Sequence, residues 1–209
     1  KGGVLRSHQK VYTSKGTGEL TSGTFAPTLS KSVGMARVPM GVEPGSQAEF
    51  IVQRKSTRQI LASGLLDIGV ATPSFFTTTQ NGQGQVAAIN EDGSINTNTN
   101  GIDRGKVIQL FATGQGFVPG APPDGEAPTG ALATPQVPVV VVGSSRVADD
   151  AILYSGLAPG LVGVWQLNVR VPMTVPPGSI TDVVVSMRSV PSNQPEGGGG
   201  VIRTIIAVK

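Results

Sequence analysis

The chain has 209 residues, with sixteen Lys and Arg, thirteen Asp and Glu, one His, no Cys and a net charge of +3. Because the positive charges are scattered and no apolar run reaches membrane-spanning length, we expect neither nucleic-acid binding nor membrane insertion. The absence of Cys excludes disulfides, thiolate catalysis and zinc–thiolate centres. The high content of glycine (29) and proline (16) is typical of short strands joined by turns, so we predict an all-β fold without a cofactor.

The first 35 residues have the pattern of strand, turn, strand, loop and strand. Gly16 and Gly18 interrupt the first pair of strands, and Gly23 with Pro27 marks the second connection. His8 is the only histidine, which excludes a multi-histidine metal site. We therefore predict that this segment forms strands and turns and holds no metal site.

The same segment carries a family resemblance. The run Gly18-Glu-Leu-Thr-Ser-Gly-Thr-Phe-Ala-Pro-Thr-Leu29, followed by Ala36-Arg-Val-Pro39, resembles the C-terminal β-barrel domain of the glycine-cleavage aminomethyltransferase, or T-protein. The resemblance covers residues 1–39. It implies barrel strands only, since in that family the folate pocket and the catalytic aspartate belong mainly to the N-terminal part. We therefore carry over no functional residue and expect no enzymatic activity.

An eleven-residue stretch occurs twice, at residues 36–46 and 169–179. Eight of the eleven positions are identical at an offset of 133, so that Arg37 corresponds to Arg170. A strand rich in β-branched residues follows each copy. The repeat therefore predicts a duplicated strand unit.

Four further motifs carry a second resemblance; they are Gly84-Gln-Val-Ala-Ala-Ile-Asn90, Leu110-Phe-Ala-Thr-Gly114, Tyr154-Ser-Gly-Leu-Ala-Pro-Gly160 and Gln166-Leu-Asn-Val-Arg-Val-Pro172. With them, residues 36–209 resemble the Solibacter-type C-terminal domain of exported acidobacterial proteins, which implies tandem immunoglobulin-like sandwiches. We therefore predict a chimeric chain of two β-sandwiches. The first, residues 1–72, joins the aminomethyltransferase-like strands of 1–35 to a half unit at 36–72, and the second is residues 73–209.

This layout predicts a non-catalytic structural or adhesion module of an exported protein. The second resemblance alone implies an extracellular or cell-surface location. Because the first sandwich is incomplete, we expect that its sheet edges can self-associate by strand exchange; a carbohydrate or surface partner is unknown. Two alternatives stay open, namely an accessory fragment of a folate-dependent aminomethyltransferase and a carbohydrate-binding module.

Two sets of residues are candidates for ligand binding. Oxygen-bearing side chains at alternating positions form a candidate calcium site, with an ordinary polar hairpin loop as the alternative; they are Asn90, Asp92, Ser94 and Asn96, with Asp103 nearby. The order of residues departs from the EF-hand, because Gly93 comes early and no closing Glu follows. Trp165 and Tyr154 are candidates for sugar stacking, although Trp165 alternates like a core residue, which is the favoured interpretation.

Overall fold

The computed structural model describes residues 8–26, 31–39, 41–42, 46–53, 57, 59–67, 69–123, 125–193 and 203–209. The chain divides into two compact units, residues 1–70 and 71–209. Apart from one short 3₁₀ helix, the regular structure of the described residues is β, so the predicted all-β fold is confirmed. Among these residues no helix has the length and apolar character needed to cross a bilayer.

The first unit contains one antiparallel sheet. Its strands are β1 (Lys10–Thr13), β2 (Gly16–Ala26), β3 (Lys31–Arg37), β4 (Gln47–Gln53) and β5 (Ile60–Asp67). Their order in the sheet is β3-β2-β1-β4-β5. β1 therefore lies in the middle, where Val11 is opposite Gly18 on β2 and Phe50 on β4. The N-terminal strands thus form one sheet with strands β4 and β5 of their own chain.

The buried residues of this sheet explain part of its sequence. Val11, Leu20 and Ala48 are almost fully buried, and the half-buried Val38 packs against them. At Gly18 a Cβ atom would overlap the backbone carbonyl of Arg37, so no other residue fits there without moving β3 away from β2. This glycine allows the close approach of the two strands.

The second unit has shorter and more numerous strands. They are β6 (Ser74–Phe75), β7 (Gly84–Gln85), β8 (Ala88–Ile89), β9 (Val107–Thr113), β10 (Leu132–Ala133), β11 (Val139–Val142), β12 (Ser145–Arg146), β13 (Ile152–Leu157), β14 (Trp165–Arg170), β15 (Gly178–Met187), β16 (Val190–Pro191) and β17 (Thr204–Val208), with the 3₁₀ helix at Asp149–Ala151. One sheet has the order β10-β13-β14-β9-β6, with β8 beside β9. The other has the order β12-β11-β15-β17-β7, with β16 beside β15.

The inward faces of these two sheets form one hydrophobic core, as in a β-sandwich. Alternate residues of β9 and β14 point inward and are fully buried, among them Leu110, Trp165 and Leu167. Val140 on β11 and Val185 on β15 belong to the same cluster. Full burial of each large apolar side chain contributes about 1.5–3 kcal/mol, so the alternating pattern of these strands stabilises the sandwich.

The two copies of the repeat occupy the same local place in the chain. A strand ends at Arg37 in the first copy and at Arg170 in the second, and the next strands begin at Gln47 and Gly178. In the first copy the flanking strands β3 and β4 belong to one sheet, whereas in the second β14 and β15 belong to different sheets. Met40 and residues 43–45 lie outside the described residues. The repeat therefore determines where strands end but not which strands they pair with.

Candidate functional site

The charged cluster of the first unit lies at the start of β1. Lys10 and Glu19 are opposite each other in the β1–β2 ladder, and Lys10 Nζ donates to Glu19 Oε2 at 3.0 Å. His8 Nδ1 lies 2.6 Å from Glu19 Oε1. These two hydrogen bonds, with that of His8 the larger cause, hold the pKa of Glu19 below its ordinary value. The side chain of His8 is 86% exposed, so the cluster has the character of a surface ion pair between neighbouring strands.

The candidate calcium loop is held together by amide side chains. Asn96 is fully buried, and its Nδ2 donates to Asn90 Oδ1 and to the carbonyl oxygen of Ala207, both at 2.9 Å. The Oδ1 of Asn96 accepts the backbone N–H of Ala207 at 2.9 Å and the side-chain amide of Gln85 at 3.0 Å. Asn96 thus bonds to β17 as a strand residue would, and it ties the loop to that strand.

The other candidate calcium ligands are also bonded within the loop or lie apart from it. Asp92 Oδ1 accepts the hydroxyl of Ser94 at 2.6 Å and its backbone N–H at 2.9 Å, which lowers the pKa of Asp92. Asp103 lies in the turn before β9, where its backbone carbonyl accepts the N–H of Lys106. Across the described part of the chain, no three His, Asp or Glu residues are grouped to hold a metal ion. The loop therefore has the bonding of a structural hairpin, and calcium binding stays a prediction.

The two candidate sugar-binding residues have different surroundings. Trp165 is fully buried, and its Nε1 donates to Ser155 Oγ at 3.0 Å. Ser155 Oγ in turn lies 2.7 Å from the hydroxyl of Thr134. Tyr154 is half-buried, and its hydroxyl donates to the carbonyl of Leu157 at 2.7 Å. Because the indole ring is enclosed in the core, it offers no exposed face on which a sugar could stack.

Sequence reasoning missed two polar contacts that organise the second unit. Asn193 follows β16, and its Oδ1 accepts the backbone N–H of Phe75 at 2.8 Å while its Nδ2 donates to the carbonyl of Gly82 at 3.0 Å. Arg203 makes a two-pronged ion pair with Asp182, at 2.8 and 2.9 Å. Each joins residues far apart in the sequence, so no local pattern signals it. In the described part of the molecule, every buried side-chain nitrogen and oxygen has a hydrogen-bond partner.

Comparison with known proteins finds sequence similarity to the first unit. Residues 1–66 match the model of the family described as the glycine cleavage T-protein C-terminal barrel domain. Aminomethyltransferases are similar over segments of comparable length, with 61% identity over 53 residues in Cupriavidus pinatubonensis, 50% over 62 residues in Cupriavidus metallidurans and 54% over 54 residues in Paraburkholderia phymatum. These alignments cover 25–29% of this chain and 14–16% of the relatives' length. No solved structure matches the chain significantly.

These findings confirm one expectation and overturn others. The resemblance of residues 1–39 to the T-protein barrel domain is confirmed, and the matched range extends to residue 66, which takes in residues that the sequence analysis grouped with the second resemblance. The predicted exported adhesion module is wrong, because the similar proteins are aminomethyltransferases. The extracellular or cell-surface location is wrong for the same reason, since it depended on that interpretation. The Solibacter-type resemblance of residues 36–209 stays a prediction.

Proposed function

We propose that residues 1–66 serve as a barrel segment of the aminomethyltransferase type, with a structural role, and that the 209 residues do not themselves catalyse aminomethyl transfer. One observation carries this proposal. The family match ends at residue 66, and the last strand of the five-stranded sheet, β5, ends at Asp67. The matched sequence therefore spans the five described strands of this sheet.

The non-catalytic part of the proposal has separate support. The region of similarity is 14–16% of the length of the relatives, and the resemblance implies that the folate pocket and the catalytic aspartate lie elsewhere in the family. In the described part of the first unit, the charged cluster of His8, Lys10 and Glu19 is exposed to solvent. Water screens charges in such a place, so they are poorly suited to stabilise a transition state.

A chimeric enzyme tests the structural role. In the aminomethyltransferase of Cupriavidus pinatubonensis, the segment that corresponds to residues 1–66 of this chain is replaced by those residues, and aminomethyl transfer is measured. We expect activity within tenfold of the parent enzyme, about 1.4 kcal/mol in activation free energy. The control is the same chimera carrying Gly18→Val, in which the new Cβ overlaps the carbonyl of Arg37. This variant should be insoluble or inactive. A soluble, folded chimera without activity would contradict the proposal.

A second measurement tests the non-catalytic part by itself. The 209-residue chain is titrated with tetrahydrofolate by calorimetry, and its aminomethyl transfer is assayed. We expect no saturable heat and no turnover. Saturable binding or turnover would show that the chain holds part of the reaction site, whatever the outcome of the chimera.

A further inference from the structure

The sheets of the two units end in different kinds of strand. In the second unit all four outermost strands, β6, β7, β10 and β12, are two residues long. In the first unit the outermost strands are β3 with seven residues and β5 with eight. A long edge strand presents a row of backbone donors and acceptors to another chain, and very short edge strands are a common protection against such pairing. Among the described strands, the longest outermost strands therefore belong to the first unit.

The composition of β5 makes it a suitable edge for pairing. Among the described strands it pairs only with β4, over a register from Gln53 opposite Ile60 to Gln47 opposite Asp67. It contains no proline, no lysine and no arginine. Ile60 and Leu65 are 57% and 66% exposed, and Ser63 between them is exposed as well. An edge strand with exposed apolar side chains and no charge in its middle lacks the usual features that prevent edge-to-edge association.

Charge distinguishes β5 from the other edge. β3 begins with Lys31 and ends with Arg37, and basic residues on an edge strand are a usual protection against edge-to-edge pairing. β5 has a single charged residue, Asp67, at its last position. In antiparallel pairing of two β5 strands, position 67 of one copy and position 67 of the other are at opposite ends of the ladder. Charge repulsion therefore does not oppose the pairing of two β5 strands, whereas the basic residues of β3 disfavour the pairing of two β3 strands.

We propose that β5 pairs antiparallel with β5 of a second copy of this chain. The partner is another copy because the strand is self-complementary, and like strands paired across a two-fold axis form a closed dimer, not a fibre. Ser63 and Leu65 are both exposed and lie on the same face of β5. Residues opposite each other in an antiparallel ladder have their side chains on one face, so this exposed face continues from one copy to the other in the dimer. The result is one sheet that continues across both copies.

The expected association is weak. Eight residues of strand extend about 27 Å, and one ladder of that length buries less than the roughly 800 Å² per partner of a standard stable interface. The dimer should therefore depend on concentration, with a dissociation constant of micromolar or above. In the full chain, we expect the weight-average mass to rise from 21.3 kDa toward twice that value with concentration.

Sedimentation velocity of the full chain with two matched variants tests the site. Leu65→Lys places like charges within the proposed ladder, and Leu153→Lys makes the same change at a leucine that is 52% exposed on β13, which pairs with β14 on one side and, at its last two residues, with β10 on the other. We expect a monomer at every concentration for Leu65→Lys and an unchanged rise in mass for Leu153→Lys. A wild-type chain that stays monomeric into the millimolar range would overturn the proposal, as would loss of the dimer in both variants or in neither.

A label on β5 gives an independent readout that does not require the dimer to be disrupted. Because the chain has no cysteine, Ser63→Cys provides a unique attachment point for a nitroxide spin label, and Ser179→Cys on β15 is the exposed control. We expect a short intermolecular distance between labels at residue 63 and a longer one at residue 179. A short distance at residue 179 alone would place the interface on the second unit and overturn the proposal.

Discussion

Replacing Asn96 by alanine removes the side chain that ties the polar loop to β17. Asn96 is fully buried and makes hydrogen bonds to both backbone groups of Ala207 and to the side chain of Asn90. The N–H of Ala207 donates to Asn96 Oδ1 at 2.9 Å, so the substitution removes this acceptor. We therefore expect Asn96→Ala to destabilise the second unit strongly while it leaves the first unit folded.

The magnitude follows from the groups that lose their partners. The N–H of Ala207 and the Oδ1 of Asn90 belong to residues that are 2% and 4% exposed. Each buried group left without a partner costs about 1–3 kcal/mol, so the two cost about 2–6 kcal/mol together. The carbonyl of Ala207 keeps the N–H of Ile102 at 3.0 Å, and Gln85 is half-buried and can bond to water. Against a typical total stability of about 5–15 kcal/mol, the loss is large.

Urea denaturation followed by tryptophan fluorescence measures this loss. Trp165 is the only tryptophan and lies in the core of the second unit, so its emission reports that unit alone. The control is Asn98→Ala, at an exposed asparagine of the same loop, which should change the free energy of unfolding by less than about 0.5 kcal/mol. Equal effects of the two substitutions, or an Asn96→Ala variant as stable as the wild type, would show that the Asn96 side chain does not stabilise the second unit through these hydrogen bonds.

Three further outcomes follow from the same contacts. NMR titration should find the pKa of Glu19 below 4.5, and His8→Ala should raise this pKa. An unchanged pKa would show that the His8–Glu19 hydrogen bond does not form in solution. The stabilising effect of the ionised Glu19 carboxylate is present above pH 4.5 and is lost as the pH falls through the lowered pKa. Calcium at millimolar concentration should leave the thermal midpoint of the second unit unchanged, because Asp92 and Asn96 already accept hydrogen bonds within the loop; a clear rise would support the calcium site. Oligosaccharides should not alter the emission of the buried Trp165, whereas a saturable change would favour the carbohydrate-binding alternative.

Local sequence patterns predicted the secondary structure well. The alternation of apolar residues in β9 and β14 appears as alternating burial, because side chains of a strand point to opposite faces in turn. The strands predicted to follow the repeat copies at residues 36–46 and 169–179 are β4 and β15, which begin at Gln47 and Gly178. Such features depend on neighbouring residues only, and the sequence contains them directly.

Contacts between distant residues could not be predicted in this way. Asn96 reads as one member of a polar run, and only the position of β17 makes it a buried link to Ala207. The same limitation applies to the repeat, since nothing in its residues specifies that β3 and β4 share a sheet while β14 and β15 do not. The functional interpretation failed for a related reason, because it gave the longer segment's resemblance more weight than that of the first 39 residues.

The position of β1 between β2 and β4 joins the described strands of the matched segment into one sheet. Nuclear Overhauser effects between backbone protons of the full chain test it directly, because opposite residues of antiparallel strands have Cα atoms only about 4.5–5.5 Å apart. We predict contacts from Lys10 and Tyr12 to Ile51 and Glu49 on β4, in addition to those with β2. Contacts of β1 with β2 but none with β4 would contradict the account, because the segment would then be a separate hairpin.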